Sequence, residues 1–192
     1  MDNWKCDIKN WTDIKLETAN FFFLQAEKIL ESTNAVNQQL MSKSHKIIVL
    51  LVSLITASIG YFLSLIKSGN FFTAESASII FFTISLTISL CYALKVWKPK
   101  TEFFRGSEPR KLMDPAFIKY NDQGVDDQNQ LVRVLFSECH DYQKRIDINI
   151  EHNLNYSSKL TKSIKYFIYS PFVALIVYLI VIFLGFVRPY HS

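Results

Sequence analysis

A chain of 192 residues allows one or two domains, and 49% hydrophobic residues beside 20% charged ones is an unusual mixture for a soluble domain. Five Gly and five Pro exclude a collagenous or low-complexity chain. Cys6, Cys91 and Cys139, widely spaced and without a CxxC pair, argue against a disulfide scaffold or a cysteine zinc site. The mean hydropathy of +0.13 turns on whether apolar residues are spread evenly or gathered into blocks.

Residues 13–45 read as one long helix. Ile14, Phe21, Phe22, Ile29, Leu30, Val36 and Leu40 recur at mixed three, four and seven spacing among Lys, Glu, Gln and Asn, with Thr12 or Asp13 as N-cap. The N-terminal segment is thus 1–45, and since no Gly or Pro interrupts Thr12 to Ile59, its helix is expected to continue into the next block. That block, Ile47–Ile66, is 20 residues without a charge, and Ser76–Leu94 is a second such run of 19. Together they predict a transmembrane hairpin over 46–97, each run close to the roughly 20 residues that cross a bilayer core as a helix. The first run starts too far from Met1 to be a cleaved signal peptide.

From 98 to 126 the composition changes. Pro99, Gly106, Pro109, Pro115 and Gly124 punctuate a segment that also holds Phe103, Phe104, Leu112, Met113, Phe117 and Ile118, predicting a packed connector near the membrane surface. The helical pattern returns over 127–165. Leu131, Tyr142, Asn153 and Ile164 advance by 11, a spacing that favours a nearly straight helix or a weak right-handed supercoil. Its stripe turns polar at Asn149, Asn153 and Ser157, where buried amides would fix register or line a water-filled vestibule. Tyr166–Val187 is a third uncharged run, of 22 residues, placing a last span at 166–188 and a short tail at 189–192.

Basic residues orient the chain. Lys43, Lys46, Lys95, Lys98, Lys100, Arg105, Arg110, Lys111, Lys159, Lys162 and Lys165 fall on one side, against Lys67 and Arg188 on the other. The N-terminus and the middle segment are expected in the cytoplasm and the C-terminus outside. The fold class is therefore an all-α membrane protein with three transmembrane helices and two long cytoplasmic helices forming a stalk.

Within the first span Thr56, Gly60 and Ser64 form a small-xxx-small stripe that permits close helix approach. On the second, Ser76, Thr83 and Thr87 fall on one face and Ser78, Ser85 and Ser89 on nearly the opposite one, by about 100° per residue. One face can be used within the chain, leaving the other for a neighbouring subunit or a lumen. No ionisable group lies within a span, which disfavours a proton relay or voltage sensor. Three spans cannot enclose a transport path alone, so a pore requires a homo-oligomer in the bilayer.

Chemistry is sparse. The chain lacks a phosphate-binding Gly loop, GxSxG and HExxH, and His45, His140, His152 and His191 do not cluster, so no metal, cofactor or enzyme activity is expected. Arg145 and His152 share a helix face, and their Arg-x6-His spacing resembles the active-site motif of HEPN ribonucleases. A solvated helix face is the simpler reading. The net charge of +4 reads as positive-inside bias, and no direct nucleic-acid binding is expected.

Two stretches carry a wider likeness: KSHKIIVLLVSLITASIG at 43–60, and GSEPRKL at 106–112 with YQKRIDINIEHNLNYSSKLTK at 142–162. In these motifs and in its layout the chain resembles the small membrane effectors of bacterial antiphage systems, the SLATT and Pycsar transmembrane group. It is also similar to the small transmembrane accessory proteins of RNA-targeting CRISPR systems. The resemblance implies an oligomeric inner-membrane effector that disrupts the membrane in abortive infection, with a defence-system partner protein or a nucleotide second messenger as trigger. A membrane-anchored scaffold of a defence complex is the alternative.

Overall fold

The computed structural model describes residues 14–69, 73–97 and 127–187. Among the described residues there are three α-helices and no strand: α1 (Leu16–Lys67), α2 (Ala74–Trp97) and α3 (Asp127–Val187). Each is long and apolar enough to span a membrane, yet only 11%, 17% and 6% of their most apolar windows is buried inside the chain. A core helix of a water-soluble protein would bury such a window; exposed windows of this length and hydropathy fit spans in lipid. The three expected spans lie within them. The expected N-cap at Thr12 or Asp13, the 98–126 connector and the tail at 189–192 lie outside the described residues.

Helix α1 is continuous for 52 residues, about 78 Å at 1.5 Å per residue. It ends where Gly69 adopts a left-handed backbone (φ 78°) and donates its amide to the Ile66 carbonyl at 3.1 Å. The Ser68 hydroxyl takes the adjacent Leu65 carbonyl at 2.9 Å. Thr73 then opens α2: its hydroxyl accepts the Ser76 amide at 3.3 Å while the Ser76 hydroxyl accepts the Thr73 amide at 3.1 Å. This is a capping box with Ser in place of Glu. Helix α3 runs for 61 residues through Pro171. Proline leaves the carbonyl four residues back without its usual donor. The Ser170 hydroxyl donates to that carbonyl, of Phe167, at 2.7 Å, the kind of side-chain repair that lets proline sit in a spanning helix.

The chain divides into two compact units, Met1–Val36 with Thr101–His152, and Asn37–Lys100 with Asn153–Ser192. In the first, the described parts of α1 and α3 run parallel. Phe22 meets Phe136, Phe23 stacks on Tyr142 with ring centroids 5.5 Å apart, and Leu30 packs with Tyr142 and Ile146. In the second unit α2 runs antiparallel to both neighbours. Leu51, Leu86 and Ala93 form one cluster, and Val96, Tyr156 and Leu160 another that Leu40 and Ile47 complete.

Burial follows sevens. On α1 the buried residues include Leu30, Asn37, Ser44, Leu51, Ser58 and Leu65; on α3 they include Tyr142, Asn149, Tyr156, Ser163 and Ser170. A seven-residue repeat belongs to left-handed helix crossings, so the expected 11-residue spacing is corrected. Leu131 and Ile164, its outer members, are 46% and 38% exposed. Apolar character alone does not mark the seam: in the second unit Ser44, Ser58, Ser163 and Ser170 share it with Leu51, Leu65 and Leu160, while Ile164 and many other Leu and Ile turn outward.

Candidate functional site: hydroxyl and amide contacts along the helices

Small residues at the seam bring the backbones of the second unit close together. The fully buried Ser44 donates its hydroxyl to the Ala93 carbonyl at 2.8 Å, joining α1 to α2. Between α2 and α3 the arrangement is reciprocal: Ser89 Oγ donates to the Ser163 carbonyl at 2.7 Å, and Ser163 Oγ to the Ser89 carbonyl at 2.9 Å. The two hydroxyls are themselves 3.1 Å apart. Ser89, expected to share a face with Ser78 and Ser85, is thus used inside the chain. Ser44 and Ser163 were not singled out from the sequence; their place in the run of sevens was the available signal.

The other hydroxyls turn back on their own helix. Thr56 bonds the Val52 carbonyl, Thr83 that of Ile79, Thr87 that of Thr83 and Ser78 that of Glu75, all at 2.8–2.9 Å. Such bonds satisfy the hydroxyl without any neighbour. Ser85 is half-buried, and Ser76 serves the α2 cap. Thr56, Gly60 and Ser64 are exposed, and a Cβ built on Gly60 would meet nothing within 4 Å. Their small-residue stripe is therefore vacant within the chain. Thr83 and Thr87 line a shallow cavity of about 300 Å³ whose remaining walls are apolar, Ile59 and Phe62 from α1 and Ile80 and Ile88 among others from α2.

In the first unit the polar stripe has a definite partner. Asn149, 4% exposed, donates its amide to Asn34 Oδ1 at 2.8 Å and to Thr33 Oγ1 at 3.3 Å. Asn153 is half-buried and Ser157 exposed, so the three do not act as one buried stripe. Tyr156, in the second unit, is buried, and burial pushes its phenol above the usual range.

Arg145 lies over the Tyr142 ring at 5.7 Å, and His152 is half-buried two helical turns further on. Seven residues place them about 10 Å apart along the axis. Among the described residues no group of His, Cys, Asp and Glu is placed to hold a metal ion. A second cavity, of about 480 Å³, is lined by Ile14, Phe22, Ile29 and Phe136 with Gln25 and Gln143 at its polar edge. No family model, curated protein or solved structure matches the chain.

Proposed function

We propose that this chain is an oligomeric inner-membrane effector of an antiphage defence system that, once triggered, permeabilises or depolarises the membrane. The observation that carries the reading is the vacant stripe. Thr56, Gly60 and Ser64 remain exposed after Ser44, Ser89 and Ser163 have joined the three helices. Small residues on a lipid-facing helix favour association, because van der Waals packing and not water drives helices together there. Copies of the chain associate through that stripe, with the first unit in the cytoplasm and the C-terminus outside, an orientation that the one-sided lysines support. Activation reaches the spans through the parallel helix pair, and no catalysis is involved.

Induced expression during phage challenge, followed with a membrane-potential dye, tests this. Cells should depolarise with the natural chain and stay polarised with Thr56→Leu/Ser64→Leu. Triggered cells that remain polarised with the natural chain would sink the proposal. A second reading, a membrane-anchored scaffold, draws on the apolar cavity beside Phe22 and Phe136. It requires a soluble partner at fixed stoichiometry, lost on Phe22→Ser, with no change in membrane potential.

A further inference from the structure

One end of the second unit gathers cations around two stacked rings. Tyr92 and Tyr166 stack with ring centroids 5.6 Å apart and nearly parallel planes, at 8°. Lys95 Nζ lies 5.2 Å from the centre of the Tyr92 ring, and Lys162 Nζ lies 6.0 Å from the same centre. The two ammonium groups are thus both drawn to one aromatic ring by its quadrupole. Lys159, a turn before Lys162, sits over Tyr156 at 5.9 Å.

No carboxylate of this unit can neutralise them. Glu75 is the single acidic residue of Asn37–Lys100, and Asn153–Ser192 has none. Glu75 opens α2, about 30 Å along the helix from Lys95. Neither Lys95 nor Lys162 forms an ion pair with a described residue. Two ammonium groups held at one ring repel each other, and an anion that bridges them relieves that repulsion.

The position of the cluster says which anion. Tyr92 lies in the last turns of the second uncharged run and Tyr166 at the start of the third, the level at which spanning helices meet headgroups. At the same level of the helices Leu94, Ile168 and Tyr169 are 40%, 52% and 58% exposed, which adds apolar surface there. A soluble anion has no use for that surface, whereas a lipid has acyl chains to lay on it. Basic pockets between spanning helices are a recurrent way of holding anionic headgroups.

We propose that Lys95 and Lys162, held over the Tyr92–Tyr166 stack, bind the phosphate of an anionic phospholipid. The site stands on the membrane-spanning fold alone and does not depend on the effector reading. Each lysine near an anionic surface is worth about fivefold in binding.

The test uses the full chain in detergent, titrated with phosphatidylglycerol or phosphatidylcholine, with bound lipid counted by native mass spectrometry. Phosphatidylglycerol affinity should fall about fivefold for Lys95→Gln or Lys162→Gln and roughly twenty-fivefold for both. Phosphatidylcholine binding should stay unchanged, and Lys43→Gln and Lys67→Gln should act as the natural chain does. The pair Lys95→Arg/Lys162→Arg should retain binding, which separates loss of charge from loss of folding. Equal losses for Lys43→Gln and Lys95→Gln would overturn the site, reducing it to diffuse attraction. Displacement of the lipid by millimolar inorganic phosphate would overturn the lipid as the ligand.

Discussion

Ser89 and Ser163 exchange hydroxyls for carbonyls across two helices, a contact that exists only because neither side chain is larger. Replacing either by Leu forces a larger, branched side chain between touching backbones, and overpacking of that kind costs about 1–3 kcal/mol. Ser89→Ala keeps the space and loses the bonds, for roughly 0.6 kcal/mol on the scale of intramembrane hydrogen bonds. Unfolding of the purified chain in mixed detergent should rank them in that order, and equal losses would mean that the contact is not tight. Tyr156 gives a prediction of another kind. Burial raises its pKa, so between the unfolded value near 10 and the higher folded one the unfolded chain has released a proton that the folded chain keeps. Stability is therefore unaffected below about pH 10 and falls as pH rises above it. Tyr156→Phe should flatten that alkaline slope in an unfolding series.

At the scale of the helix, legibility was uneven. The continuity of α1 could be read from the absence of Gly and Pro between Thr12 and Ile59, and the spans from their uncharged runs. The packed face could not. Counting apolar residues finds a seam where water drives packing, but α1 and α3 pass into a region where Leu and Ile are at ease outside, and Ser and Asn become the interior. The same shift hid Ser163 and Ser170, which lie seven apart on α3. The amide pair of the first unit is testable at this scale. Asn149→Ala should cost about 1–2 kcal/mol by removing the buried amide that donates to Asn34 Oδ1. A double-mutant cycle with Asn34→Ala should show coupling of about 0.5–1.5 kcal/mol, and additive losses would place the amide contact outside the folded state. At the turn between the spans Gly69→Val should cost about 1–2 kcal/mol, the penalty for a left-handed backbone.

For the molecule as a whole, Gly60 belongs to the stripe proposed to join several chains and takes no part in the contacts within one. Its missing Cβ faces open space, so Gly60→Leu should leave the unfolding of the single chain intact. Helix propensity predicts a gain of roughly 0.8 kcal/mol. The same change fills the vacant stripe and should convert cross-linked oligomers to monomers in native membranes. Unchanged cross-linking would remove the stripe as the oligomer contact and with it the main support for a pore.

The parallel pairing of α1 with α3 also dictates an order of assembly. Leu30 finds its cover in Tyr142 and Ile146, and Asn34 its donor 115 residues later in the chain. A ribosome adding about 5–20 residues per second needs roughly 6–20 s to cross that gap. During that interval the hairpin can already sit in the bilayer while Phe23 and Leu30 wait for Tyr142 and Ile146. With the N-terminus in the cytoplasm, as proposed, chaperones and proteases meet the nascent N-terminal helix first, and a chain stopped after Trp97 should be cleared from the cell even though both of its apolar runs are complete.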